Sequence, residues 1–479
     1  MRARTTAVLL ALLALAGCAT TPTRTGLPAA TTQGRAVPPL GPPADLKLPV
    51  QQKFTLGNGL AVRLVEHHRL PIVAFHLVLL EGGAAHDPAA LPGLASFTAA
   101  MVTEGTRSRT AFQLSDELGS LGASLGAGAS MDAAYVSGSG LSRHLSRLLE
   151  LLADVTVNPS FPDSDFFRLQ DQRRVGLIQQ RDQPGTVAAK TLGKLYWGDH
   201  PYGHWSGGTE ESVVRTTPAD LARFHADRWR PGAAELVVVG DVDAATLRPM
   251  LEKAFAGWAG AGPARPAAAE APVGRLRAVL VEKKGASQTF VVLGMPGIAR
   301  SDPDYVTAQV LFHVLGGGSS SRLFRNLRED KGYTYGLAAR ESAQKLGGVS
   351  YLGGGVRADA TGAAIRDMLG LVHELRDVPV PAAELADAQD GLVLSLPGDF
   401  ATAAGTAGRL AEQVVYALPE DWWVRYPERV RRVTPSDLQR VAGRVLDTGK
   451  LATVLVGDPD VVKAQVEGVP LGDLEVRKP

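Results

Sequence analysis

One helix-to-strand unit is written twice in this chain. Thr217-Pro218-Ala219-Asp220-Leu221 leads to Leu236-Val237-Val238-Val239 and closes on Gly240-Asp241; Thr434-Pro435-Ser436-Asp437-Leu438 leads to Val454-Leu455-Val456 and closes on Gly457-Asp458. The Thr, Pro, Asp, Leu and Gly-Asp landmarks recur at one constant offset, so the chain is expected to fold as two copies of one domain. In each copy Thr is a helix N-cap, Pro takes the first helical position, and Asp lies in the first turn; an apolar strand follows.

At 479 residues the chain is too long for one core, and lengths of this order divide into several domains. The Pro/Ala/Gly stretch 262–272 separates the copies, which sets domains at 50–261 and 273–470 with a tail at 471–479. Strands are expected at 60–65 and 72–80 in the first domain and at 278–282 and 289–293 in the second. Helices follow at 114–121, 141–157 and 166–180, with His144, Arg147 and Glu150 on a solvated side. Strands early, helices in the middle and a final helix and strand predict an α+β fold of two similar α/β sandwich domains, each a sheet covered on one face by helices.

Charge narrows the partners. Lys plus Arg (50) nearly equals Asp plus Glu (49), with no basic run, so nucleic acid is not expected. Arg2 and Arg4 precede an apolar run from Ala7 to Ala16, too short to span a bilayer and laid out as a secretory signal over 1–18. It ends Leu15-Ala16-Gly17-Cys18, and Cys18 is the only cysteine; no intrachain disulfide is possible. This resembles a bacterial lipobox, which implies lipidation of Cys18, with an ordinary signal peptide ending in cysteine as the alternative. By resemblance to lipoprotein sorting rules, Ala19 implies an outer-membrane address in a Gram-negative cell; the periplasmic face is expected, with the external face as the alternative. Residues 19–49, rich in Thr, Ala, Pro and Gly, form a tether.

Gly93-Leu94-Ala95-Ser96-Phe97-Thr98-Ala99-Ala100-Met101 followed by Gly105-Thr106 resembles the zinc helix of the insulinase-like (pitrilysin, M16) metallopeptidases, an inverted zinc motif in which His, Glu and His stand where this chain has Ser96, Ala99 and Ala100. Zinc needs nitrogen, sulfur or carboxylate ligands, and the hydrolytic water needs a base; a hydroxyl and two methyls supply neither. The family's third ligand, a Glu on a later helix, is also missing: no Glu lies between Glu150 and Glu210, and the matching segment Gln170 to Gln180 offers Gly or Gln at the place expected. The resemblance extends to Phe54-Thr55-Leu56-Gly57-Asn58-Gly59-Leu60, to His200-Pro201-Tyr202-Gly203 with Gly207-Gly208, and to Gln288, Met295-Pro296-Gly297, Asp302 and Asp304. It implies two domains arranged as a clamshell.

The second-half motif is the better preserved: Leu315-Gly316-Gly317-Gly318-Ser319-Ser320-Ser321 enters a helix, expected to carry a serine cap, through Arg322, Arg325 and Arg328 to a stop at Gly332, then Tyr333-Thr334-Tyr335. In the family an Arg and a Tyr at this spacing reach into the zinc site and bind substrate. The resemblance assigns those roles to Arg328 and Tyr335, chemistry that suits a guanidinium fork and a phenol donor. From residue types alone the three arginines are a solvated stripe and Tyr335 a half-buried strand residue. No Lys-Ser/Thr follows the glycines as a P-loop requires, and no Gly-x-Ser-x-Gly elbow has the context of a serine hydrolase. His67, His68, His76, His86, His200 and His204 are scattered, and Pro201 and Gly203 keep the last pair off one helical face.

The resemblance therefore implies a subunit that carries no zinc and cannot cut alone. It pairs with a zinc-bearing paralogue as a heterodimer, lends Arg328 and Tyr335 in trans, and acts on short unfolded peptides; membrane contact is through Cys18 only. The alternative is a peptide-binding or assembly lipoprotein with the same fold and no catalytic role.

Overall fold

The apolar runs that close each repeat become central strands of two six-stranded sheets in the computed structural model, which describes residues 48, 50–263 and 276–478. The 1–18 leader with Cys18, nearly all of the 19–49 tether and most of the 262–272 linker lie outside the described residues. The first sheet contains β1 (Gln51–Thr55), β2 (Ala61–Glu66), β3 (Ile72–Leu79), β4 (Ser124–Ala129), β5 (Ala134–Leu141) and β6 (Ala234–Gly240), in the order β1-β2-β6-β3-β5-β4. The second contains β7 (Arg277–Glu282), β8 (Gln288–Pro296), β9 (Ala338–Gln344), β10 (Gly347–Arg357), β11 (Ala452–Gly457) and β12 (Leu474–Arg477), in the order β12-β7-β11-β8-β10-β9.

The two sheets are built alike. β6 runs parallel to β2 and antiparallel to β3, and β11 does the same between β7 and β8. Before each lies the capped helix read from the repeat: Thr217 Oγ1 accepts from the Asp220 N–H and Thr434 Oγ1 from the Asp437 N–H, both as capping boxes. The edge strands differ in origin. β1 comes from the start of the described chain, but β12 falls in the segment expected to be a tail, where Leu474–Arg477 pairs in parallel with β7.

The sheets are covered on both faces, not one. Along β6, Leu236 and Val238 enter the core formed with the Leu145–Val157 helix of the same half, while Val237 and Val239 pack against Leu410 and Val414 of the Ala403–Val415 helix from the other half. The exchange is reciprocal. Along β11, Leu455 faces its own half's core, while Val454 and Val456 meet Leu192 and Trp197 of the Pro184–Trp197 helix from the first half. Strands buried on both faces read as continuous apolar runs, which is why Leu-Val-Val-Val and Val-Leu-Val show no alternation.

Candidate functional site

The degenerate motif forms the Leu94–Met101 helix. Its entry is held by Gly93, at φ +92°, where a Cβ would stand 2.6 Å from Gly208 Cα; only glycine lets the 207–208 loop press this close. Asp87 supplies what the helix start lacks. Its carboxylate accepts from the N–H groups of Gly93 (2.6 Å) and Ala95 (2.7 Å), two of the orphan donors of a first turn, and lies 3.1 Å from His204 Nε2.

Ser96 and Ala100, one turn apart, lie on a part-exposed face, while Ala99 is fully buried in the core. Against that face stands a residue the sequence reading passed over. Arg173, on the Asp163–Gln180 helix, donates through Nη2 to Ser96 Oγ at 2.6 Å and reaches the Gly207 carbonyl at 3.5 Å. Its guanidinium carbon is 4.8 Å from the centre of the Phe97 ring, and the Ser96 hydroxyl itself donates a hydrogen bond to the Gly93 carbonyl at 3.1 Å. Burial pulls the Arg173 guanidinium down to about 10, with Asp87 working in the opposite direction, so it remains a cation at neutral pH. The family's metal position here presents a hydroxyl, two methyls and a guanidinium, a donor set that does not fit zinc. Among the described residues no three His, Cys, Asp or Glu side chains group to hold a metal ion.

The second motif is organised differently from the regular helix expected. After two α-helical residues, Arg322 and Leu323, the backbone widens to a π-helix over Phe324–Asp330, a geometry frequent at functional sites. Ser321 does not cap it, since its hydroxyl donates to the Gly318 carbonyl at 2.6 Å. Gly332 ends it at φ +62°, and the Tyr333 N–H reaches the Leu327 carbonyl at 2.8 Å. The three arginines are not one solvated stripe. Arg322 is locked by two 2.8 Å bonds from its guanidinium to the Glu384 carboxylate, whereas Arg325 and Arg328 are exposed.

Arg328 stacks 4.5 Å over the Phe324 ring and has no carboxylate partner among the described residues. Tyr335, read from composition as half-buried in a strand, lies in a loop before β9 with 87% of its surface exposed. Thr334 anchors that loop, its hydroxyl donating to the Gly355 carbonyl at 2.6 Å. Among the described residues no hydrogen bond, ion pair or ring contact joins Arg328 or Tyr335 to Ser96, Ala99, Ala100 or Arg173. Cys18 lies outside the described residues.

With this geometry in hand, two family descriptions match: Insulinase (Peptidase family M16) over residues 66–204 and Peptidase M16 inactive domain over residues 215–392. An uncharacterized zinc protease of Bacillus subtilis is 25% identical over 308 residues, 64% of this chain and 74% of that one. Another, from Streptomyces coelicolor, is 26% identical over 381 residues, 76% of this chain and 80% of that one. A solved structure described as a peptidase M16 inactive domain from Pseudomonas fluorescens superposes with a TM-score of 0.80 at 27% identity, covering 85% of this chain and 98% of that one.

Proposed function

The chain belongs to the insulinase family of M16 peptidases, and from that premise we propose that it is a non-catalytic subunit of a heteromeric zinc metallopeptidase. In this reading it binds no zinc, closes a peptide-binding site with a zinc-bearing paralogue, and supplies Arg328 and Tyr335 to that site. Its substrates are short unfolded peptides. Cys18 carries the lipid that holds it at the outer membrane on the periplasmic side.

The observation that carries the reading is the contrast within one motif. Arg322 is consumed by a bidentate carboxylate pair, while Arg328 on the π-helix and Tyr335 in the loop that follows it stand exposed with no polar partner among the described residues. An exposed guanidinium can hold a carbonyl or carboxylate with fixed geometry, and an exposed phenol can donate to a developing oxyanion. Arg173 against Ser96 supports the other half of the reading, since a cation beside the metal position opposes a dication there. It equally suits the second reading, a peptide-binding lipoprotein without a part in catalysis.

The test measures zinc content and peptidase activity of the purified chain, alone and mixed with a zinc-bearing paralogue from the same cell. The expected result is a zinc-free, inert chain that activates the paralogue, with activation lost in Arg328→Ala and in Tyr335→Phe. A zinc-free chain that binds peptide and leaves the paralogue's activity unchanged selects the second reading, and activation that survives both substitutions overturns the roles given to Arg328 and Tyr335. Stoichiometric zinc with chelator-sensitive activity in the lone chain overturns both.

A further inference from the structure

Arg173 is a part-buried cation with no carboxylate in contact among the described residues. Four other sunken arginines each hold a carboxylate: Arg63 with Glu235 at 2.8 Å, Arg109 with Asp154 at 2.6 Å, Arg300 with Glu412 at 3.1 Å and Arg322 with Glu384 at 2.8 Å. Arg173 meets only neutral groups, the Ser96 hydroxyl, the Gly207 carbonyl and the face of Phe97. The nearby carboxylate, Asp87, is already committed, one oxygen to the Ala95 N–H and the other to the Gly93 N–H and His204. Among the described residues Arg173 Nε is buried with no acceptor and Nη1 makes no hydrogen bond.

A guanidinium withdrawn from water with donors unused and no anion in contact is an incomplete site. The completing group must be anionic and planar enough to take the fork in parallel, which describes a carboxylate. Ser96, Ala100 and Arg173 itself are all part-exposed, and a methyl at 100 occupies little of the space an imidazole would fill.

We propose that Arg173, with Ser96 as its positioning partner, makes the former metal position of this chain a subsite for a peptide carboxylate. The subsite holds a peptide where an active relative would cut one. Its ligand is the α-carboxylate of a C-terminus or the side-chain carboxylate of an Asp or Glu. The proposal rests on the peptide part of the reading above and not on the partner subunit, so its test uses the lone full-length chain.

Three N-acetylated octapeptides of one sequence are titrated calorimetrically into the protein: one with a free C-terminus, its C-terminal amide, and the amide carrying a single internal Glu. A carboxylate meeting an otherwise unpaired guanidinium should tighten binding by about 10-fold or more over the plain amide. Gain with the free terminus alone assigns the terminal carboxylate, and gain with the Glu peptide assigns the side chain. This comparison needs no variant. Arg173→Met should then erase the difference between the three peptides, and Ser96→Ala should weaken it. Equal affinity for all three peptides overturns the subsite and leaves the peptide reading standing; binding of none overturns both. A carboxylate preference that persists in a folded Arg173→Met also overturns it.

Discussion

The Tyr202 hydroxyl accepts a hydrogen bond from the Leu346 N–H at 3.0 Å, across the seam between the two halves. The same hydroxyl donates to the buried Asp132 carboxylate, whose second oxygen accepts from the Lys345 N–H at 3.2 Å. Asp132 sits in the turn between β4 and β5, and Lys345 and Leu346 form the turn between β9 and β10. Corresponding hairpins of the two repeats are thus tied through one tyrosine, and burial with the adjacent Asp132 pushes the Tyr202 phenol far up, keeping it protonated as a donor.

Tyr202→Phe should therefore destabilise the chain without altering either sheet. It leaves the Leu346 N–H without its acceptor and Asp132 short of a donor, a loss of about 1 to 3 kcal/mol for buried groups left unpaired. Urea unfolding should show a lower midpoint at unchanged slope. A midpoint equal to wild type would mean that the exchanged helices alone hold the halves together.

Arg328→Ala and Tyr335→Phe should leave stability within about 0.5 kcal/mol of wild type, because both side chains are exposed and replace no buried contact. Their effect belongs to the assembled enzyme. Loss of one donor to a developing oxyanion costs about 100- to 1000-fold in rate, so the peptidase activity gained on mixing with the paralogue should fall by that order. Loss of folding in either variant would contradict the exposed placement.

How much of this was legible beforehand depended on whether the signal was local. The capping boxes at Thr217 and Thr434 and the strands after them could be read because Thr-Pro-x-Asp and an apolar run are contiguous chemistry. Strands β4 and β5 were not anticipated: Ser-Leu-Gly-Ala-Gly-Ala carries little strand propensity, and it pairs with β5, which is itself aligned on β3. The Pro184–Trp197 helix crosses to the other half's sheet, a destination no periodicity specifies. Ser96, Ala99 and Ala100 were visible because the glycine frame around them survived. Arg173 was not, since its partner Ser96 is 77 positions away and Arg173-Arg174 in a polar helix reads as a solvated pair.

His76 makes stability depend on mild acid. It alternates along β3 with Phe75 and Leu77, which face their own core, and so lies on the face that meets the Ala403–Val415 helix, its ring 5.4 Å from that of Tyr135. Burial lowers it from 6.5 to about 4. Between those values the unfolded chain binds a proton that the folded chain refuses, so stability falls as pH drops. The loss from pH 7 to pH 5 should be about 2 kcal/mol, and His76→Phe should remove that portion. His225, also lowered to about 4, leaves a residual slope in the same direction. An unchanged slope in His76→Phe would show that the ring is solvated in the folded chain.

Glu341 carries the opposite sign. It lies buried on β9, accepting from the Ile298 N–H at 3.1 Å and from the Ser350 hydroxyl. Burial raises it from 4.5 to about 7, against those two hydrogen bonds. The folded chain therefore retains a proton that the unfolded chain has released, and the stability this gives below pH 4.5 is lost as pH rises through 7. Glu341→Gln keeps the shape and an acceptor for Ile298, and its amide can donate to Ser350, but it has no charge to bury. It should be more stable than wild type by about 3 kcal/mol at pH 8 and by only about 1 kcal/mol at pH 5. Urea midpoints at the two values decide the matter: a variant less stable at both would mean that the ionised carboxylate is held by its neighbours and contributes to the fold as an anion.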